Sequence, residues 1–162
     1  MANLHEIVQW CNQTLKTNEF KDYAPNGLQI EGRTEVNKIL CAVTASEDAI
    51  DAAIEQNADV LLVHHGYFWK GEPYPITGMR GNRIKKLIQN NISLVAYHLP
   101  LDSHPTLGNN AAIADLIGLN HLEALDPFEK HPIGNIGYLE SPLSTEQFQE
   151  KLKNIFDFNI LH

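Results

Sequence analysis

The sequence predicts an α/β protein, layered α/β/α around a largely parallel sheet and followed by the start of a second α/β unit. Three observations carry this. The runs Lys38–Thr44, Val60–Val63 and Ile92–Tyr97 are short, apolar and rich in β-branched residues, the pattern of strands buried on both faces. Helical segments alternate with them, as parallel strands joined by right-handed crossovers require. Hydrophobic residues make up 43% of the 162 positions, enough for a core and too many for a disordered chain.

Asn3 reads as an N-cap and Glu6 as its capping-box partner, opening a helix whose apolar face is Leu4, Ile7, Val8, Cys11 and Leu15. Trp10 either extends that face or serves a partner surface. Pro25-Asn26-Gly27 signals a turn, and Leu28–Ile30 reads as a short strand closed by Gly32. After the buried strand 38–44, Ser46 caps a helix with Glu47 and Asp48 in its first turn and Ala49, Ile50, Ala53 and Ile54 inward. The strand 60–63 ends on His64-His65 and Gly66. Residues 66–81 hold two prolines and four glycines among aromatics and form a long loop, a common carrier of function. A helix is expected over Arg83–Asn90, with Ile84, Leu87 and Ile88 inward. The strand 92–97 leads into His98 and Leu99-Pro100-Leu101-Asp102, and the helix from Asn110 to Ile117 closes on Gly118. These elements make a first domain over 1–126. Residues 127–162 read as a linker and the incomplete start of a second unit: a strand over 136–140, a helix from Ser144 to Phe156, and a last strand over 158–161.

Charge and composition narrow the function. A net charge of −8 with no long basic stripe argues against nucleic-acid binding. No apolar run approaches a membrane span and no signal peptide opens the chain, so a cytoplasmic protein is expected. Cys11 and Cys41 sit in apolar patterns and read as reduced, buried thiols rather than nucleophiles. There is no GxGxxG and no P-loop.

His64-His65 and the His98–Asp102 segment follow successive strands. In a parallel sheet both emerge at the carboxyl edge, where open α/β folds place ligands. Two imidazoles and a carboxylate there can nucleate a site for zinc, iron, manganese or nickel, and the carboxylate can bridge two ions. The bland alternative is a set of loop histidines bonded to carbonyls, with Asp102 as ordinary turn chemistry in Asp-Ser-His-Pro. His98 is placed to support a ligand or, like His104, to shuttle protons near neutral pH. Tyr67-Phe68-Trp69 either walls a pocket for a planar ring or packs under the loop. Arg80, Arg83, Lys85 and Lys86 read as a solvated helix face, and His5, His121 and His131 as surface residues.

Four motifs in order, Asn26-Gly27-Leu28-Gln29-Ile30-Glu31-Gly32, Val63-His64-His65-Gly66, His98-Leu99-Pro100-Leu101-Asp102 and Gly108-Asn109-Asn110, resemble those of the NIF-three-like dinuclear metal-centre family. Its members are often labelled GTP cyclohydrolase type-two homologues. The resemblance covers the whole chain and implies two divalent metal ions per subunit inside a toroidal homohexamer, a trimer of dimers. Carried over, it implies His64, His65 and Asp102 as metal ligands, with His98 close to the site, where proton shuttling would give it a catalytic role. It also implies a His and a Glu from a C-terminal motif that this sequence lacks, so the chain is expected to match the N-terminal portion of a longer member. The activity implied is a metal-dependent, cyclohydrolase-like hydrolysis by activated water on a nucleotide-like small molecule. The alternative is a non-catalytic, metal-binding ring that acts as a scaffold or regulatory protein.

Overall fold

The computed structural model describes residues 1–156, so the strand expected over 158–161 lies outside the described residues. Contacts divide the chain into two compact units, Met1–Pro100 and from Leu101 onward, so residue 126 falls within the second.

The first unit runs β1 (Ala2–Asn3), α1 (Leu4–Thr14), β2 (Gly27–Ile30), β3 (Glu35–Val36), β4 (Ile39–Thr44), α2 (Glu47–Glu55), β5 (Val60–His65), α3 (Gly78–Gln89) and β6 (Ser93–Ala96). A short helix, α4 (Leu99–Ser103), spans the division. The sheet order is β2-β6-β5-β4. As expected, β4, β5 and β6 are parallel, with Thr44 opposite His65 and Val63 opposite Ala96. The short strand β2 instead runs antiparallel to β6, with Gly27 opposite Ala96. This reversal brings the segment before Gly27 to the same edge as the strand ends that carry the histidines.

The Asn3 and Ser46 caps form as the sequence suggests. Among the described residues, though, Glu6 contributes only its backbone N–H to the Asn3 cap and not the reciprocal side-chain bond of a capping box. Asn3 accepts from His5 N at 2.9 Å and Ser46 from Ala49 N at 3.1 Å, each satisfying an otherwise orphaned helix donor. Ile50 and Ala53 of α2 and Ile84 and Leu87 of α3 pack on Leu61, Val63, Leu94 and Ala96. Burying each larger side chain is worth about 1.5–3 kcal/mol. Strand residues alternate faces, so Val60, Val95 and Tyr97 occupy the opposite side, where the Tyr97 hydroxyl donates to Asn12 of α1 at 2.9 Å. Helices thus lie on both faces of the sheet. At the amino edge, the buried carboxylate of Asp59 accepts from Asn37 N at 2.7 Å and Lys38 N at 3.1 Å, pinning the entry to β4.

Several expectations are corrected. The β4 run is an edge strand, so Val43 is 69% exposed and Cys41 is exposed rather than buried. Apolar composition alone does not reveal which strand lies at an edge. α3 starts at Gly78, earlier than expected, and Ile88 faces outward. Leu99–Ser103, to which the sequence assigned no element, is helical despite Pro100, which sits in the first turn where its missing N–H does no harm.

The second unit contains α5 (Asn109–Ile117), β7 (Leu119–Ala124), β8 (Asn135–Leu139) and α6 (Thr145–Phe156). Gly118 ends α5 at φ +75°, the left-handed stop expected of it. Strands β7 and β8 pair antiparallel, so the proline-containing segment between them connects a hairpin. The β7 strand was not anticipated, because a register shift between Asn120 and Glu123 breaks the alternation a strand shows in sequence. Ser144 and Gln147 cap α6 reciprocally: Ser144 N donates to Gln147 Oε1 at 2.8 Å and Gln147 N to Ser144 Oγ at 3.3 Å. Among the described residues no helix is long and apolar enough to cross a membrane.

Candidate metal centre

His64 and His65 are the last two residues of β5, and His98 follows β6 by two positions. The structure gathers all three at the carboxyl edge of the first unit's sheet. One nitrogen from each imidazole lies within 4.8 Å of the others. Ring centroids are 4.4 Å apart for His64–His65, 5.0 Å for His64–His98 and 5.8 Å for His65–His98.

Neighbouring groups orient the rings. His64 Nδ1 lies 2.9 Å from the Tyr97 carbonyl, which can only accept, so that nitrogen carries the proton and Nε2 carries the lone pair. His98 Nδ1 lies 2.7 Å from Asp22 Oδ1, and the same reasoning leaves Nε2 as its lone-pair nitrogen. His65 Nδ1 lies 3.2 Å from Thr44 Oγ1 on the adjacent strand. Imidazoles whose outer nitrogen is held by a carbonyl or carboxylate are the usual form of metal-binding histidines. The donor set fits a divalent ion of the imidazole-preferring kind.

Asp22 was not singled out from the sequence. Its side chain is 4% exposed. Oδ1 accepts from His98 Nδ1 and from Tyr23 N at 2.6 Å, and Oδ2 accepts from Leu99 N and Asn26 Nδ2, both at 2.9 Å. Burial opposes its charge, but the bonds from His98, Asn26, Leu99 and Tyr23 outweigh it and hold the carboxyl below its ordinary range. Asn26 adds a bond from His98 N to its Oδ1 at 2.7 Å. The one signal in the sequence was the turn Pro25-Asn26-Gly27, which indicates a loop and not the edge it reaches.

Gln29 ties the same loop to the chain after the histidine pair. Its Oε1 accepts from Tyr67 N at 2.7 Å and its Nε2 donates to Pro25 O at 2.9 Å. Gly66 lies so close that a Cβ there would collide with the Gln29 amide and Ala96. Phe68 adopts φ +66°, a costly conformation for a bulky residue. Trp69 then stands edge-on to His98 with centroids 4.9 Å apart, its Nε1 donating to Gly66 O at 3.1 Å. Tyr67 is buried, and its hydroxyl donates to Ala45 O at 2.6 Å. Of the aromatic trio, Tyr67 therefore packs inside, while Trp69 borders the histidines.

Asp102 belongs to the second unit. Its Oδ1 accepts from Asn109 Nδ2 at 2.9 Å and its carbonyl from Asn110 Nδ2 at 3.1 Å, so the Gly108-Asn109-Asn110 motif orients it. His104 Nδ1 accepts from Leu107 N at 3.0 Å, a turn role. Two of the basic residues of α3, Arg80 and Lys86, are paired with acids. Arg80 bonds Glu72 at 2.7 Å, and Lys86 bonds Glu47 and Asp51. His5 pairs with Glu31 at the surface.

A "GTP cyclohydrolase 1 type 2 homolog" of Haemophilus influenzae is 50% identical over 159 residues, covering 97% of this chain and 62% of the relative. The protein of that name in Escherichia coli K12 is 50% identical over 122 residues, 75% of this chain and 49% of the relative. The chain thus spans about half to two thirds of the length of these relatives. Among solved structures, "protein ybgI, unknown function" superposes with a TM-score of 0.87 at 42% identity, covering 94% of this chain and 60% of the other. Reduced HcgD from Methanocaldococcus jannaschii superposes at 0.78 with 26% identity, over 94% and 59%. The Duf34/NIF3 (NGG1p interacting factor 3) family matches residues 2–162, and the chain belongs to that family.

Proposed function

We propose that this chain supplies the nitrogen-rich part of a divalent-metal centre, and that the longer proteins it resembles use that centre as metal-dependent, cyclohydrolase-like hydrolases. The observation that carries the reading is the convergence of three imidazole nitrogens within 4.8 Å at the carboxyl edge of a parallel sheet. His64 and His65 would hold metal, with Asp102 as the carboxylate ligand and His98 beside them. The chemistry a divalent ion supplies is Lewis acidity and an activated water near neutral pH. Trp69 offers a flat apolar wall next to His98, suited to a planar heterocycle such as a nucleotide base. The accompanying assembly is a ring of six subunits, a trimer of dimers, for the full-length protein.

Calorimetric titration with zinc, manganese or iron(II) tests the metal reading. Stoichiometric binding is expected, weakened at least 100-fold by His64→Ala. A chain that binds none of these ions refutes it. In a full-length relative, metal-dependent product formation from GTP, lost in the variant matching His64→Ala, tests catalysis. Full metal occupancy without nucleotide turnover or binding favours the scaffold reading instead.

A further inference from the structure

We propose that Asp22 makes His98 a metal donor, by holding its ring as the Nδ1–H tautomer so that Nε2 joins the nitrogens of His64 and His65. The inference rests on reading the histidine cluster as a metal centre. It gives His98 a ligand role in place of the proton-shuttle role that the sequence suggested.

The argument begins with what a carboxylate can do. Asp22 Oδ1 sits 2.7 Å from His98 Nδ1, and an ionised carboxylate only accepts. A neutral His98 facing it must therefore carry its proton on Nδ1. The ring cannot drift from this arrangement, because both of its anchors are fixed. The chain on either side of the imidazole is held by His98 N donating to Asn26 and Leu99 N donating to Asp22. The carboxylate itself is locked by Tyr23 N and the Asn26 amide. One buried side chain thus binds the backbone that carries the ring and also the ring's outer nitrogen. The bond to Nδ1 has a chemical consequence, since it selects which nitrogen offers a lone pair. His64 is treated the same way by the Tyr97 carbonyl. Two of the three clustered rings therefore share one tautomer, with Nε2 as the donor in each.

The test uses Asp22→Asn. With its oxygen kept for the two donors Leu99 N and Asn26 Nδ2, this variant gives up the bond from Tyr23 N and turns an NH₂ group towards His98. That group can only donate to Nδ1, so the proton moves to Nε2 and the donor is lost. Long-range proton–nitrogen NMR of the metal-free chain at alkaline pH, where imidazoles are neutral, reads the tautomer directly. His98 is expected as Nδ1–H in the parent and Nε2–H in the variant. Zinc affinity is expected to fall about 10–100-fold, as for lost outer partners of metal-bound histidines, and at least as far in His98→Gln. A parent His98 in the Nε2–H form overturns the proposal, as does zinc affinity within twofold of the parent in either variant. If Asp22→Asn does not fold, the parent tautomer and His98→Gln still decide. A parent chain that binds no zinc refutes the metal centre itself, which is distinct from a parent that binds zinc indifferently to Asp22.

Discussion

Replacing Asp59 by alanine should destabilise the first unit severely while leaving the histidine edge intact. The Asp59 side chain is 5% exposed and lies at the amino edge of the sheet, opposite the candidate centre. Its Oδ2 accepts from Asn37 N and Lys38 N, and its Oδ1 is 3.1 Å from Arg33, whose side chain is half exposed. Hydrogen bonds to a charged acceptor are worth about 1.5–3 kcal/mol each, and truncation leaves both donors without it. The half-solvated Arg33 pair adds at most about 1 kcal/mol. The expected loss is therefore about 3–7 kcal/mol, a large part of a typical domain's ~5–15 kcal/mol. Urea unfolding followed by circular dichroism at neutral pH measures it, and a loss under about 1 kcal/mol refutes the reasoning. The pH dependence has a definite sign. Burial opposes the charge of Asp59, but the Asn37 and Lys38 amides and the Arg33 guanidinium outweigh it and hold the carboxyl below its ordinary range. Between the folded and unfolded pKa values the unfolded chain binds more protons, so stability rises with pH there. The gap between parent and variant is thus complete above about pH 5 and closes as pH falls through the lowered folded value.

Three further outcomes are expected. Gly66→Ala forces a methyl against the Gln29 amide and Ala96, costing about 1–3 kcal/mol in urea unfolding and weakening zinc binding through the displaced loop; a variant matching the parent in both measurements refutes this. Burial pushes the Tyr67 hydroxyl up to about 12, against the opposing charge of Arg83. Stability therefore declines as pH rises above ~10, because the folded chain keeps this proton longer than the unfolded one. Tyr67→Phe should remove that late-ionising tyrosine from a spectrophotometric titration and cost about 1 kcal/mol. Gly118→Ala places a Cβ on a left-handed residue at φ +75° and should lower stability by about 1–2 kcal/mol; an unchanged midpoint in thermal unfolding contradicts it.

The legible parts of the fold were those written in local pattern. The strands at 39–44, 60–65 and 93–96 announce themselves as apolar runs, and Asn3, Ser46, Ser144 and Gly118 mark helix ends by cap chemistry. The histidine pair and His98 were legible as neighbours because parallel strands must end at one edge. Asp22 was not, since its position depends on β2 running antiparallel, a pairing choice that a four-residue strand does not encode in its own pattern. The edge position of β4 was hidden for a related reason: strand order is set by tertiary packing, while residue composition reports only apolarity. The second unit was harder still, because the shifted register at Asn120–Glu123 erases the period-2 signal of β7.

Consecutive strand residues point to opposite faces, so His65 continues the side of Leu61 and Val63, under α2 and α3, while His64 continues the side of Val60, across from them. Their ring centroids nonetheless lie 4.4 Å apart at the end of the strand. A ligand that gathers these rings therefore acts as a clasp between the two helical layers, at the last paired residues of the sheet. Occupancy adds RT ln(1 + [L]/Kd) to the stability of the whole unit. Slower amide exchange on ligand addition should appear in α1 and in α2 together, although neither helix supplies a donor.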